Sequence, residues 1–340
     1  MLITQKQMVH CGTMLLLWTA LNTFITDSIA ISCTAFALLI GALLYVRIPP
    51  VHKDKVSPAV LSLFNIDQSN VKRNLIFHKG GGYHAPENTL EAVQQAIDLD
   101  IPAVEIDLDF TKDGVGVLIH GPKVDDTTDG QGLVSEHTFE QIQTLNASSK
   151  DLNKDKYPVV RVPTLEACVE LCIKNKIVIL IDCKSSPCQT AKLLTDLYRK
   201  YPELYELGIV CSFYPNIIYS VRQADINILT ALTYRNFMLT LEGDGTEKNK
   251  EIWKRLASPV LDVILSWAHW SIFWFICGNS FFLCNKDNIC RDSKKFWDSL
   301  GIRLIAWTVN DQIEKDFLLK HLGIPVITDG LVQPHSRDDS

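Results

Sequence analysis

Residues 103–120 read AVEIDLDFTKDGVGVLIH. Ala103–Phe110 and Val115–His120 are β-rich runs, and only Thr111-Lys112-Asp113-Gly114 lies between them. A crossover between parallel strands needs roughly a dozen residues, whereas Asp-Gly makes a hairpin turn. The two runs therefore predict an antiparallel hairpin. Outward from it, β-rich runs recur at Asn74–His78, Ile177–Cys183, Ile209–Phe213, Ile228–Thr233, Leu261–Ser266, Ile302–Val309 and Val326–Thr328. Helical periodicity appears at Thr89–Leu99, Thr164–Asn175, Gln189–Lys200, Tyr214–Asp225 and Ser293–Leu300. Strands alternating with helices, the strands nearly continuous in apolar residues, predict a parallel α/β sheet buried on both faces. With one hairpin arm set aside as an insertion, eight strands remain. That is the count of a (β/α)8 or TIM barrel, which takes about 250 residues.

The whole chain has 340 residues, 47% hydrophobic and 21% charged, which excludes a disordered protein. Net charge is −6 and the basic residues are scattered, so a nucleic-acid partner is not expected. Ten cysteines spread from Cys11 to Cys290 make neither a small disulfide scaffold nor a zinc site. Cys183 and Cys188 are close enough to bridge in an oxidising compartment, but buried free thiols are the simpler expectation.

Residues 1–56 read as a membrane anchor of one or two hydrophobic helices, and 70–332 as the barrel. Met8–Thr26 and Ile29–Val46 carry no charged residue, and Asp27 is the one acid between them. The second run has 18 residues, the length a bilayer core demands, and Arg47 and Pro49-Pro50 end it. A further apolar block, Val260–Cys284, cannot cross once. Trp307 and Asp329 would then lie across the bilayer from His78, and no barrel would close. The expectation is a strand, Leu261–Ser266, followed by an apolar interfacial segment at 267–285. Arg47, Lys53 and Lys55 favour a cytosolic barrel, whereas the glycosylation tripeptide Asn146-Ala147-Ser148 favours the lumenal or extracellular side of an endomembrane or plasma membrane. The second placement is the one expected.

In such a barrel, chemistry sits at the C-terminal ends of the strands. His78 ends the first strand and His120 the hairpin. Glu105 and Asp107, two apart, share one strand face, and Asp182 with Lys184 ends a later strand. Trp307, Asn310 and Asp329 end the last two. Buried unpaired carboxylates cost several kcal/mol, so these need a partner. Three oxygen donors at one rim suit a hard divalent cation, Mg²⁺ or Ca²⁺. Two histidines beside them suit acid–base work near neutral pH, and Lys184 can hold an anionic oxygen. Gly80–Gly82 let backbone approach a substrate. This set describes metal-assisted phosphodiester hydrolysis.

The same residues form an ordered pattern: His78-Lys79-Gly80, Pro86-Glu87-Asn88-Thr89, Glu105-Ile106-Asp107, His120-Gly121 and Asp126-Thr127-Thr128-Asp129-Gly130. Ile181-Asp182-Cys183-Lys184, Ser212-Phe213, Trp307-Thr308-Val309-Asn310 and Thr328-Asp329 follow. From Asn74 to Gly330 the chain resembles the glycerophosphodiester phosphodiesterase family, in its membrane-bound animal branch. The resemblance implies a TIM barrel that hydrolyses glycerophosphodiesters to glycerol 3-phosphate and an alcohol, or lysophospholipid-type diesters drawn from membrane lipid to related products. It implies His78 and His120 as the acid–base pair and Glu105, Asp107 and Asp182 as metal ligands. Lys79, Glu87, Lys184 and Trp307 fall on the substrate side. Three positions depart from the family pattern: Lys79 replaces an arginine, Gly121 an aspartate and Asp126 an arginine. Two other readings compete, a lysophospholipase D-like lipid phosphodiesterase and a catalytically impaired membrane scaffold.

Overall fold

The computed structural model describes residues 29–331 except 244, together with Thr19. The expected first span, Met8–Thr26, otherwise lies outside the described residues. In chain order the strands are β1 (Leu75–Phe77), β2 (Ala103–Phe110), β3 (Gly116–Leu118), β4 (Val178–Cys183), β5 (Gly208–Ser212), β6 (Thr230–Tyr234), β7 (Phe281–Asn285), β8 (Arg303–Trp307) and β9 (Val326–Thr328). The sheet runs β1-β9-β8-β7-β6-β5-β4-β2-β3, and β1 also pairs with β2. Eight parallel strands thus close into a barrel. β3 lies antiparallel on β2, with Leu108 opposite Leu118, as the short Asp-Gly connection requires.

The principal helices are α1 (Ile29–Val46), α2 (Pro58–Ser62), α3 (Leu90–Asp98), α4 (Leu165–Asn175), α5 (Pro187–Lys200), α6 (Pro215–Ala224), α7 (Ile252–Ala268), α8 (Arg291–Leu300) and α9 (Gln312–Asp316). Thr89, Thr164 and Ser186 cap α3, α4 and α5 with side-chain oxygens, which satisfies backbone donors that a first turn leaves free. Ile76, Leu180, Ile209, Ala231, Leu283, Ile305 and Ile327 form the inner cluster of the barrel. The chain just before β1 plugs its N-terminal end. Val60 and Leu63 are fully buried there and Phe64 stacks on Phe281 at 5.4 Å. Each fully buried aliphatic side chain stabilises the fold by about 1.5–3 kcal/mol, so Pro58–Phe64 is part of the barrel although it precedes residue 70.

One expected strand is a helix. Leu261–Ser266 lies inside α7, and the seventh strand is Phe281–Asn285, within the segment expected to be interfacial. The cause is an inverted stripe. Asp262 is buried and accepts from the backbone N–H groups of Leu239 and Thr240 at 2.9 and 3.0 Å, while Ser258 and His269 are buried too. Trp253, Leu256, Val260, Val263 and Ile264 are exposed. Polar residues inside and apolar ones outside hide the pattern by which a wall helix is recognised. α7 continues through a wide turn, His269–Phe273, into Trp274–Cys277. There Trp270 and Trp274 turn inward onto Trp297. The helix Ile252–Cys277 has the length and apolar character of a membrane span, yet it joins adjacent strands β6 and β7.

α1 is built of 18 mostly apolar residues, and its Ile31, Leu38, Leu44 and Tyr45 are exposed. Its end is stitched to the barrel. Tyr219 Oη donates to the Val46 carbonyl and Ile48 N–H to the Ile276 carbonyl, both at 2.9 Å. Gly278 allows this: a Cβ there would sit 2.3 Å from the Ile48 carbonyl oxygen. Cys183 and Cys188 are free thiols, one buried and one exposed, and do not bridge.

Candidate active site

Two adjacent strands bring the acids together. Asp107 on β2 is in register with Asp182 on β4, and Glu105 shares a face with Asp107. One carboxylate oxygen from each of Glu105, Asp107 and Asp182 lies within 4.8 Å of the other two. All three side chains are buried. Burial and the neighbouring charge of Asp107 push Glu105 up to about 8. Burial pushes Asp182 up to about 6. Asp107 is equally buried, but the Lys184 ammonium against it holds its carboxyl well below the usual range. Lys184 also reaches Asp182 Oδ2 at 3.3 Å. Asn88 fixes Asp107 at two points, donating to Oδ2 and accepting from its backbone N–H, both at 2.9 Å.

Asp182 Oδ1 is buried with no hydrogen-bond partner among the described residues. An orphan acceptor beside two more carboxylate oxygens fits a divalent cation, which would supply the missing contact and reverse the mutual repulsion. Mg²⁺ and Ca²⁺ both suit this oxygen set.

His78 follows β1 and its Nδ1 is 2.6 Å from Asp329 Oδ1, just after β9. Asn310 donates to Asp329 Oδ2 and accepts from the Asp329 N–H at 2.9 Å, so the carboxylate is held from two sides. His78 Nε2 is 3.8 Å from Glu105 Oε2. Burial pulls His78 down, but the Asp329 hydrogen bond and the Glu105 charge outweigh it and raise its pKa. His120 goes the other way. Burial pushes it down to about 4, helped by the cationic Lys184 and Lys79 and opposed by Asp107. The two imidazoles are thus shifted in opposite directions, His78 toward the protonated form and His120 toward the neutral one.

A cavity of about 820 Å³ opens at this rim. His78, Lys79, Glu105, Asp107, His120, Asp182, Lys184 and Trp307 all line it. Glu87 is the expected site residue that does not. It accepts from Lys79 Nζ at 2.9 Å and so positions that ammonium. Lys79 and Asn88 both take left-handed backbone, φ 52° and 57°, a strain of order 1–3 kcal/mol each that functional sites commonly store. Trp307 meets Phe213 edge-on at 5.3 Å.

Residues 78–332 match the glycerophosphoryl diester phosphodiesterase family. The chain belongs to that family. It is 40% identical over 263 residues to glycerophosphodiester phosphodiesterase 1 of Mus musculus, covering 76% of this chain and 80% of that one. The Homo sapiens protein of the same name is 39% identical with the same coverage. In fold it is similar to an Oleispira antarctica phosphodiesterase solved with the product sn-glycerol-3-phosphate. That match has TM-score 0.59 and 19% identity, and covers 75% of this chain and 92% of the other. A glycerophosphodiester phosphodiesterase from Agrobacterium tumefaciens matches with TM-score 0.57 and 18% identity, over 75% and 96%. The chain is therefore an enzyme, a glycerophosphodiester phosphodiesterase.

Several groups in this enzyme's site were not singled out from sequence as site residues. Asp329 and Asn310 were visible as polar strand ends, but their grip on His78 was not. Asn88 stood inside the Pro-Glu-Asn-Thr motif, which marks a helix start as readily as a carboxylate clamp. The loop after β6 brings Phe237, Met238 and Leu241 to the cavity wall, and no periodic signal marks it.

Proposed function

We propose that this chain is a membrane-anchored phosphodiesterase that splits glycerophospho-alcohols into glycerol 3-phosphate and an alcohol, and lysophospholipid-type diesters into an acylglycerol 3-phosphate and an alcohol. The observation that carries the reading is the meeting of His78, His120, Glu105, Asp107 and Asp182 around one cavity. Glu105, Asp107 and Asp182 would hold the divalent cation, which supplies positive charge against phosphate oxygens and orients the diester. The chain's own groups do the rest. His120, kept neutral by its buried and cationic surroundings, takes a proton from water, or from the neighbouring glycerol hydroxyl, whose cyclic phosphate product water then opens. His78 keeps its Nδ1 proton on Asp329, which leaves the Nε2 proton free for the departing alkoxide. Lys79 and Lys184 add positive charge to the same wall. The full set of five side chains favours catalysis over the scaffold reading.

Two features support membrane attachment and lipid contact. α1 would be about 27 Å long, close to the thickness of a bilayer core. The outward face of α7 exposes Trp253, Val260 and Val263, and the loop that joins β6 to α7 brings Phe237, Met238 and Leu241 to the cavity. A wall apolar on its outside suits lipid contact, and Phe237, Met238 and Leu241 on the cavity wall offer apolar surface to one acyl chain. We place the barrel on the lumenal or extracellular side, on the strength of the Asn146 tripeptide.

The test is alcohol release from glycerophosphocholine and from lysophosphatidylcholine with Mg²⁺, Ca²⁺ or EDTA. H78A and H120A should each lower turnover by about 10²–10⁴. Near-normal turnover in either variant refutes the acid–base pair.

A further inference from the structure

A second cavity, about 630 Å³, lies at the opposite end of the barrel, beside the exit of α1. Arg47, Lys53 and Arg303 line it. Among the described residues none of these three pairs with a carboxylate. The one acid in the wall, Asp298, is already bound to Lys294 at 2.5 Å. The Arg47 guanidinium lies over the Phe275 ring at 4.3 Å, and that of Arg303 faces the Phe64 ring at 5.2 Å. Each guanidinium packs against an aromatic ring, and among the described residues neither donates a side-chain hydrogen bond, so both can take an oxyanion two-pronged. The Ser280 hydroxyl, also in the wall, is buried with no hydrogen-bond partner among the described residues. His52 and Asn279 also line it, with Asn279 Oδ1 buried and without a partner among the described residues, and the rest of the lining is mostly apolar. Cations, an unused hydroxyl and apolar surface together suit an anionic amphiphile.

Its position selects the source. Arg47 is the first residue after α1, and the Val46, Ile48 and Ile276 hydrogen bonds fix that helix end to the barrel. If α1 crosses the bilayer, the mouth of this cavity sits at head-group depth. We propose that the cavity binds the phosphate head group of an anionic membrane lipid. The proposal rests on the anchor reading of α1. A bound lipid would clamp this end of the barrel against the membrane.

The full chain in detergent is titrated with water-soluble dioctanoyl phosphatidylglycerol, with EDTA present to silence the metal site. Binding is read by native mass spectrometry and by thermal shift. One bound lipid per chain is expected, with at least ten-fold weaker binding in R47Q/R303Q and unchanged hydrolysis of glycerophosphocholine in the presence of Mg²⁺. Dioctanoyl phosphatidylcholine and inorganic phosphate are the control arms. Equal binding of phosphatidylcholine, or equal retention by the double variant, overturns the site. Equal protection by inorganic phosphate overturns the lipid source. Flotation with neutral vesicles separates the two readings. A chain that floats without preferring phosphatidylglycerol keeps its anchor and loses this site, and a chain that fails to float loses the anchor.

Discussion

Replacing Glu105 by glutamine should make the metal-free protein more stable while it destroys metal-dependent activity. Glu105 and Asp107 offer oxygens within 4.8 Å of each other, and two unit charges at that distance repel by about 3.5 kcal/mol at an effective dielectric of 20. Proton linkage gives a similar size. Unfolded Glu105 ionises near 4.5, whereas the folded carboxyl keeps its proton to about 8. Between those values the folded state binds the extra proton, so metal-free stability falls as pH rises. At pH 7 the loss is about 3 kcal/mol. The glutamine amide would carry no charge, and its oxygen can still accept from the Lys79 N–H, which now meets Glu105 at 3.1 Å. In EDTA, E105Q should melt on the order of 5 °C above wild type at pH 8, and the two curves should converge toward pH 4.5. Added Mg²⁺ or Ca²⁺ should raise the wild-type melting temperature, more so at pH 8 than at pH 6, and leave E105Q almost unmoved. Thermal unfolding followed by circular dichroism measures all of this. A variant less stable than wild type in EDTA at pH 8, or one stabilised by the cation as strongly as wild type, would refute the picture of three acids waiting for one ion.

Three more outcomes can be checked. D329N removes the charge that raises the His78 pKa, so the alkaline limb of the pH–rate profile should move to lower pH and kcat should fall about 10–100-fold, the worth of one charge-assisted hydrogen bond. An unmoved limb would detach Asp329 from the acid. Gly121 has φ 83° and its Cβ would come 3.3 Å from the Asp126 carboxylate, so G121D alone should lower both melting temperature and turnover. Adding D126R should restore them and bring turnover above wild type; simple additivity in the double-mutant cycle would contradict that pairing. Treatment with an N-glycan-cleaving enzyme should increase gel mobility if Asn146 faces the lumen or the exterior, and an unchanged band from secretory-pathway expression would argue for the cytosolic side.

The first hairpin arm and the last strand were legible residue for residue. Ala103–Phe110 and Val326–Thr328 run as their composition implies, because a two-residue period and an Asp-Gly turn are local properties. The gathering of acids at one rim was legible for a related reason. Charged residues such as Glu105, Asp107 and Asp182 inside apolar strands are costly enough to demand a partner, and that cost needs no coordinates to be felt.

α7 shows where local reading stops. Its buried Asp262 serves the turn at Leu239 and Thr240, more than twenty positions away, so inside and outside could not be told from its own residues. Barrel closure made the remaining decisions. It set Asp329 on His78 across 251 positions of chain, put Lys184 between Asp107 and Asp182, and drove Val60 and Leu63 into the open end of the cylinder. Composition and period determined that this chain would build alternating strands and helices with acids and histidines at one rim. Only the closed sheet decided which way each histidine's pKa would move, because that depends on the burial and the neighbours which closure brings together.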